Sequence, residues 1–207
     1  MSDDCEGDPK RAQTDPAYRR ALWIVVLLNL GFGLSEMAGG FLAGSEALKA
    51  DALDFLGDGS ITLLGLLALN WQAKTRSKIA LAQGVFLALL AIYVFSMAVW
   101  RAIEAVPPEA AIMGGIGIVA LLVNVLSAYV LSRFREGDAQ ARAVWLFSRN
   151  DALANVGVIV AAVLVALTRS AWPDLIVAGI IAGLFLYSSR EIISDAWREL
   201  HSPSSDK

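Results

Sequence analysis

The sequence predicts an all-α membrane protein: a six-transmembrane-helix bundle with both termini cytoplasmic and no soluble C-terminal domain. Three observations predict it. Apolar residues make up 57% of the 207 residues and charged residues only 18%, too few to surface a soluble fold of this length. Mean hydropathy is +0.58. The charges are also clustered, leaving uncharged runs at 61–72, 79–100, 110–132, 152–168 and 175–189, while 21–44 carries only Glu36. Lipid admits only helices and closed barrels. A helix needs about 20 apolar residues to cross about 30 Å of hydrocarbon, and these runs lack the alternation of barrel strands.

The elements follow in order. Residues 1–20 open acidic, lack an apolar stretch and read as a disordered cytoplasmic tail rather than a cleaved signal. The transport domain, 21–193, holds helices at 21–43, 47–70, 79–105, 110–134, 144–168 and 172–193. Their breaks carry turn or polar signals: Gly44-Ser45, then the run from Lys74 to Lys78, Pro107-Pro108, the run from Arg135 to Asp138, and the run from Arg169 to Pro173. Residues 194–207 are a short cytoplasmic tail with no room for a further domain.

Basic residues fix the expected orientation. Lys10, Arg11, Arg19 and Arg20 precede helix 1. Lys74, Arg76 and Lys78 follow helix 2, and Arg133, Arg135 and Arg142 follow helix 4. Arg190, Arg198 and Lys207 end the chain, so that 13 of the 17 Lys and Arg fall on one side. Arg101 and Arg169 are the clear ones on the other. The positive-inside rule then places both ends in the cytoplasm, as an even helix count requires. The net charge of −3 and the lack of a basic, aromatic-laced patch exclude nucleic acid as a partner. Cys5 stands alone, so no disulfide framework exists.

Acids inside a membrane helix are costly and mark function. Helix 2 carries Asp51, Asp54 and Asp58 at i, i+3 and i+7, on one face. Three like charges there repel, a bound divalent cation removes that cost, and Asp54 and Asp58, one turn apart, can both reach one ion. Asp151 near the start of helix 5 is the natural third carboxylate, with Asn155 one turn on. Glu36 and Asn29 share a face of helix 1, and Asn124 and Ser127 lie on helix 4, so these groups can line one polar path. Plainer readings exist for each. Asp54 and Asp58 can form a structural polar pair, Asp151 can cap helix 5 or pair with Arg149, and Asp51 can sit at the interface paired with Lys49. Glu36 reads as a packing or proton-linked residue rather than a direct ligand. The asparagines read as interhelical hydrogen-bond groups, and Trp71, Trp100 and Trp172 as interfacial anchors. Cys5 and His201 fall in the expected tails. Asp51-Ala-Leu echoes Asp151-Ala-Leu, and a second register matches Asp58 to Asp151; either way helices 1–3 and 4–6 read as related halves.

The run from Gly44-Ser45 through Ala47-Leu48, Ala50-Asp51 and Asp54 to Asp58 resembles the cation diffusion facilitator family, whose pattern reads like G-S-x-A-L-x-A-D-x-x-[HD]-x-x-x-D. Asp151-Ala-Leu-Ala-Asn-Val-Gly-Val-Ile is similar to that family's D-A-L-x-S-x-G-V-I. Glu36 with Gly39-Gly40, Gln83-Gly84, Pro107-Pro108 and Pro173-Asp174 also resemble family features, in order, over about residues 20–200. The resemblance implies a homodimer in a bacterial cytoplasmic membrane, exporting Zn2+ or a related ion (Cd2+, Co2+, Fe2+ or Mn2+) in exchange for protons. It implies a tetrahedral site with two ligands from helix 2 and two from helix 5: here Asp54 and Asp58, then Asp151. The fourth position holds Phe147, which cannot bind a metal, so either Asn155, Ser148, Asp51 or water completes the shell or the register of helix 5 differs from the family's. Two departures from the family are expected: the cytosolic C-terminal domain is absent, and so is a His-rich loop between helices 4 and 5. The expected partners are therefore the divalent metal, protons, the bilayer and a second copy, with no cofactor beyond the transported ion and no enzyme activity.

An intramembrane aspartate-dependent enzyme fits poorly: Phe55 stands where a Gly-x-Gly-Asp protease motif needs its first glycine, and Asp58-Gly59 is followed by Ser60-Ile61-Thr62 rather than the Ala-Arg of a phospholipid transferase. A non-transporting membrane scaffold is the remaining alternative.

Overall fold

The computed structural model describes residues 16–67, 73–104, 106–132 and 139–201. They form six helices: α1 Pro16–Ala43, α2 Glu46–Leu67, α3 Ala73–Glu104, α4 Ala110–Ser132, α5 Ala139–Thr168 and α6 Trp172–His201. No strand occurs among the described residues. The helices were legible; their ends were not. α1 begins at Pro16 inside the expected tail, where a proline pre-sets the helical φ and sacrifices no bonded N–H. α6 runs to His201, eight residues past the expected end, so His201 is not in a tail: its ring stacks on Trp197 at 4.3 Å. Hydropathy reports where hydrocarbon ends, and a helix may continue beyond it as a polar or amphipathic turn. Cys5, Trp71, Arg133 and Arg135 lie outside the described residues.

Five helices are long and apolar enough to cross a membrane. The sixth, α2, has the length, since 22 residues at 1.5 Å each span about 33 Å. Its acids spoil its apolarity, and the bundle resolves this by placing α2 in contact with all five other helices. The most extensive packing is α1 on α2, α4 on α5, and α3 on α6. α1 also packs on α4 and α2 on α5, so each helix touches its counterpart three further along the chain. Two inverted halves would give this pattern.

The surface is the reverse of a soluble protein's. Leu42 is 78% exposed, Ile103 80% and Leu167 76%, with many other large apolar side chains beside them. An apolar exterior of this extent is stable only against lipid. Trp100 and Trp172 are exposed near helix ends, as interfacial anchors are. The interior holds a large apolar cluster around Leu48, Leu53, Met113, Val158 and Phe185, and also Asn29, Glu36, Asp51, Asn124, Ser127, Asn155, Asp174 and Ser189. This chain is a multi-pass membrane protein with polar groups inside and apolar groups outside.

Three short connections meet at one end of the bundle. Gly44 takes φ 65°, the left-handed region that glycine enters without strain. Ser45 N then donates to Gly40 O at 3.0 Å and Gly44 N to Phe41 O at 3.3 Å, closing α1 as a Schellman motif. Glu109 N donates to Ala43 O at 2.8 Å, which ties the entry of α4 to this turn. The Arg169–Ala171 connection lies at the same end, next to Asp174.

Candidate metal centre

The site begins with how α2 is held. Ser45 caps it, accepting from Leu48 N at 3.1 Å. Asp174, at the start of α6, then covers the remaining donors: Ser45 Oγ donates to Asp174 Oδ1 at 2.5 Å, Glu46 N to Oδ2 at 2.9 Å, and Ala47 N to Oδ1 at 3.2 Å. A carboxylate on the positive end of a helix is doubly favoured, by hydrogen bonds and by the helix dipole. Glu46, fully buried, pairs with Lys49 at 2.8 Å and with Arg101 of α3 at 3.5 Å. Arg101 also donates to Gly44 O. Lys49 sits 4.6 Å above the Phe41 ring. α2 is thus fixed at one end to α1, α3 and α6. Sequence reading did not find this role for Asp174 or Arg101; the available signal was an acid directly after Pro173, where a helix begins.

Below that clamp the acids of α2 separate into two groups. The Asp51 side chain faces Glu36 of α1 within hydrogen-bonding reach. Both are at most 1% exposed, and neither Glu36 oxygen nor Asp51 Oδ2 receives a donor. This corrects the interface reading of Asp51: Lys49 is committed to Glu46, and Asp51 points inward. Asp54 and Asp58, further along the same helix face, meet α5 instead. Asp151 of α5 lies within hydrogen-bonding reach of both their side chains. All three are half-buried. The capping reading of Asp151 is also overturned, because α5 starts at Ala139, three turns earlier. Arg149, Phe147 and Ser148 belong to the stretch of α5 whose side chains lie outside the described residues.

A carboxyl can donate to another carboxyl only while it holds a proton. Among the described residues no three of Asp, Glu, His or Cys are drawn together as closely as a bound ion would draw them. A metal would replace the pairwise contacts of Asp54, Asp58 and Asp151 by contacts to itself, releasing protons as it did so.

The surroundings add polar groups. Asn155 is fully buried on α5, its Nδ2 donating to Asp151 O at 3.0 Å while its Oδ1 receives no donor. Asn29 Oδ1 and Ser127 Oγ are likewise buried without a partner atom. Asn29 approaches the site helix closely. A Cβ on Gly59 would stand 2.8 Å from Leu30 Cδ2 and 3.1 Å from Asn29 Cβ, so Gly59 lets α1 reach α2 beside Asp58. The structure therefore brings Asp54, Asp58 and Asp151 together, with Asn155 one turn from Asp151. Glu36 and Asp51 form a second pair beside them, near enough to Asp54 to feel its charge.

The whole membrane bundle matches a known family: residues 22–201 fit the cation efflux transmembrane domain. The chain belongs to the cation efflux family. This cation efflux domain is 33% identical over 186 residues to the zinc transporter ZitB of Escherichia coli (strain K12), covering 84% of this chain and 59% of that protein. It is 29% identical over 198 residues to the cadmium, cobalt and zinc/H(+)-K(+) antiporter of Bacillus subtilis (strain 168), covering 87% of this chain and 62% of that one. It is 27% identical over 179 residues to the metal cation efflux system protein CzcD of Cupriavidus metallidurans, covering 81% and 56% respectively. The chain thus spans about three fifths of the length of the curated relatives it matches.

Proposed function

We propose that this chain is a carrier, not an enzyme, that moves a divalent metal cation out of the cytoplasm in exchange for protons, and that Asp54, Asp58 and Asp151 bind the ion. The observation that carries this reading is the meeting of one carboxyl from α5 with two from α2 inside a lipid-facing bundle. Acids are tolerated there only if something positive joins them. The relatives' names, which print zinc, cadmium and cobalt, support the cargo class, and one name prints H(+).

The proposed cycle has three steps. Metal entering from the cytoplasmic end displaces protons from the three carboxyls and takes their oxygens. The two inverted halves rock about the site, which then faces the other side. Protons re-form the carboxyl contacts and expel the ion, since protonated carboxyls are poor ligands. Orientation rests on the basic residues: among the described residues Arg101, Arg169 and Lys49, the last paired with Glu46, lie at one end, whereas Arg19, Arg20, Lys74, Lys78, Arg190 and Arg198 are exposed at the end where α1 begins and α6 ends. That end is cytoplasmic in this reading, the membrane is a bacterial cytoplasmic membrane, and the protein works as the homodimer that the resemblance implies.

The test is metal uptake into proteoliposomes under an imposed pH gradient, with Zn2+, Cd2+, Co2+, Fe2+ and Mn2+, for the wild type and Asp58→Ala. Uptake needs both the gradient and Asp58. Gradient-driven uptake that survives Asp58→Ala refutes the site; no uptake of any ion by well-folded protein refutes the carrier.

A further inference from the structure

Three carboxylates binding through one oxygen each leave a tetrahedral divalent ion one donor short of four. On the face of α5 that carries Asp151, Phe147 one turn earlier has no donor atom, and Asn155 one turn later has one to spare. Asn155 is fully buried. Its amide nitrogen is held by the Asp151 carbonyl oxygen at 3.0 Å, which fixes the carboxamide and leaves Oδ1 as its free end. That oxygen receives no donor in the bundle. A buried carbonyl oxygen without a partner is costly, and a cation is a partner that removes the cost. The competing acid, Asp51, faces Glu36 of α1.

We infer that Asn155 Oδ1 is the fourth donor to the transported ion, so that the shell is all oxygen and specificity is set by that amide. This rests on the reading of Asp54, Asp58 and Asp151 as the metal site. An all-oxygen shell without imidazole or thiolate suits harder ions, so the cargo class widens toward Mn2+ and Fe2+ beside Zn2+. Asn155 thereby has two tasks. Its nitrogen positions the helix turn behind Asp151, and its oxygen faces the ion.

The experiment is binding, not transport. The full chain in lipid nanodiscs is titrated with Mn2+, the free ion being read by electron paramagnetic resonance, and Zn2+ is then added in competition. Asn155→Leu, close in size but without a donor, should weaken Mn2+ binding about tenfold or more, while Asn155→Asp, which keeps an oxygen, should stay within about threefold. Asn155→His, supplying nitrogen, should raise the Zn2+ over Mn2+ preference about tenfold. Should Asn155→Leu fail to fold, as judged by size-exclusion chromatography, the His variant decides alone. Mn2+ binding unchanged in Asn155→Leu and preference unchanged in Asn155→His overturn the inference, with water taking the fourth place. Asp58→Ala separates the two readings: if it abolishes binding while the Asn155 variants do nothing, the metal site stands and the fourth donor falls. If the wild type binds no divalent ion, both fall.

Discussion

Replacing Asp174 by alanine removes the single acceptor on which three donors converge. Ser45 Oγ, Glu46 N and Ala47 N all lose their partner, and all three residues are fully buried. Water does not readily reach them. Each orphaned backbone N–H costs about 1–3 kcal/mol. Ser45 Oγ remains an acceptor for Leu48 N, so its loss is partial. Removing a negative charge from the positive end of α2 adds up to about 1 kcal/mol. The sum is about 4 kcal/mol, which for a domain of this size corresponds to a fall in Tm of roughly 8–16 °C. Asp174→Asn keeps one acceptor oxygen but turns an NH2 group toward the backbone donors, so it should recover less than half of that loss. Thermal unfolding of the two variants and the wild type in nanodiscs, followed by tryptophan fluorescence, measures both. A fall of less than about 3 °C for Asp174→Ala would falsify the claim that Asp174 caps α2.

Three further outcomes follow from the same contacts. Glu36→Gln should leave Tm unchanged or raise it by a few degrees, because the amide offers Asp51 a donor that Glu36 lacks unless protonated; a large drop would mean that the Glu36 carboxylate has a cationic partner. Lys49→Met should cost only about 1–2 kcal/mol, since Arg101 remains 3.5 Å from Glu46, whereas Lys49→Met combined with Arg101→Met should cost 3–5 kcal/mol by stranding a buried carboxylate; additive losses would refute the shared role. Lowering pH should weaken metal binding, because protons and metal compete for the same carboxyl oxygens, and calorimetry in buffers of different ionisation enthalpy should count protons released per ion; release of none would break the proton-exchange reading.

Six helices and the acidic α2 were readable from the sequence because lipid imposes a crude code: long uncharged runs span, and charge within them is costly. The sorting of the acids was not readable. Asp51, Asp54 and Asp58 fall within one face by helical periodicity, yet Asp51 meets α1 and the other two meet α5. Seven residues separate Asp51 from Asp58 by about 10 Å along the axis, so they stand at different depths. Which neighbour each finds depends on how the helices cross, and the sequence does not state the crossing. Lys49 illustrates the same limit. Its spacing permits Asp51 or Glu46 as a partner, and the fold chooses Glu46 because Arg101 and Phe41 already draw both side chains to the closed end.

The clamp and the acids divide α2 into two functional lengths. Toward Ser45 every donor and charge is matched: Asp174 covers the helix N-terminus, and Lys49 and Arg101 neutralise Glu46. From Asp51 onward the charges are acids facing acids, and no Lys or Arg pairs with them among the described residues. A helix whose role was structural would gain by matching the second length as it does the first, with a lysine opposite Asp54 or an amide opposite Asp58. Leaving it unmatched destabilises the empty bundle, and on the proposed reading bound cations offset that cost, protons in one state and a metal ion in the other. An equilibrium in which two ligands compete for one unmatched set of oxygens is the thermodynamic requirement for exchange. The helix that carries this deficit is also the one in contact with all five others, so a change in what it binds reaches the whole bundle directly.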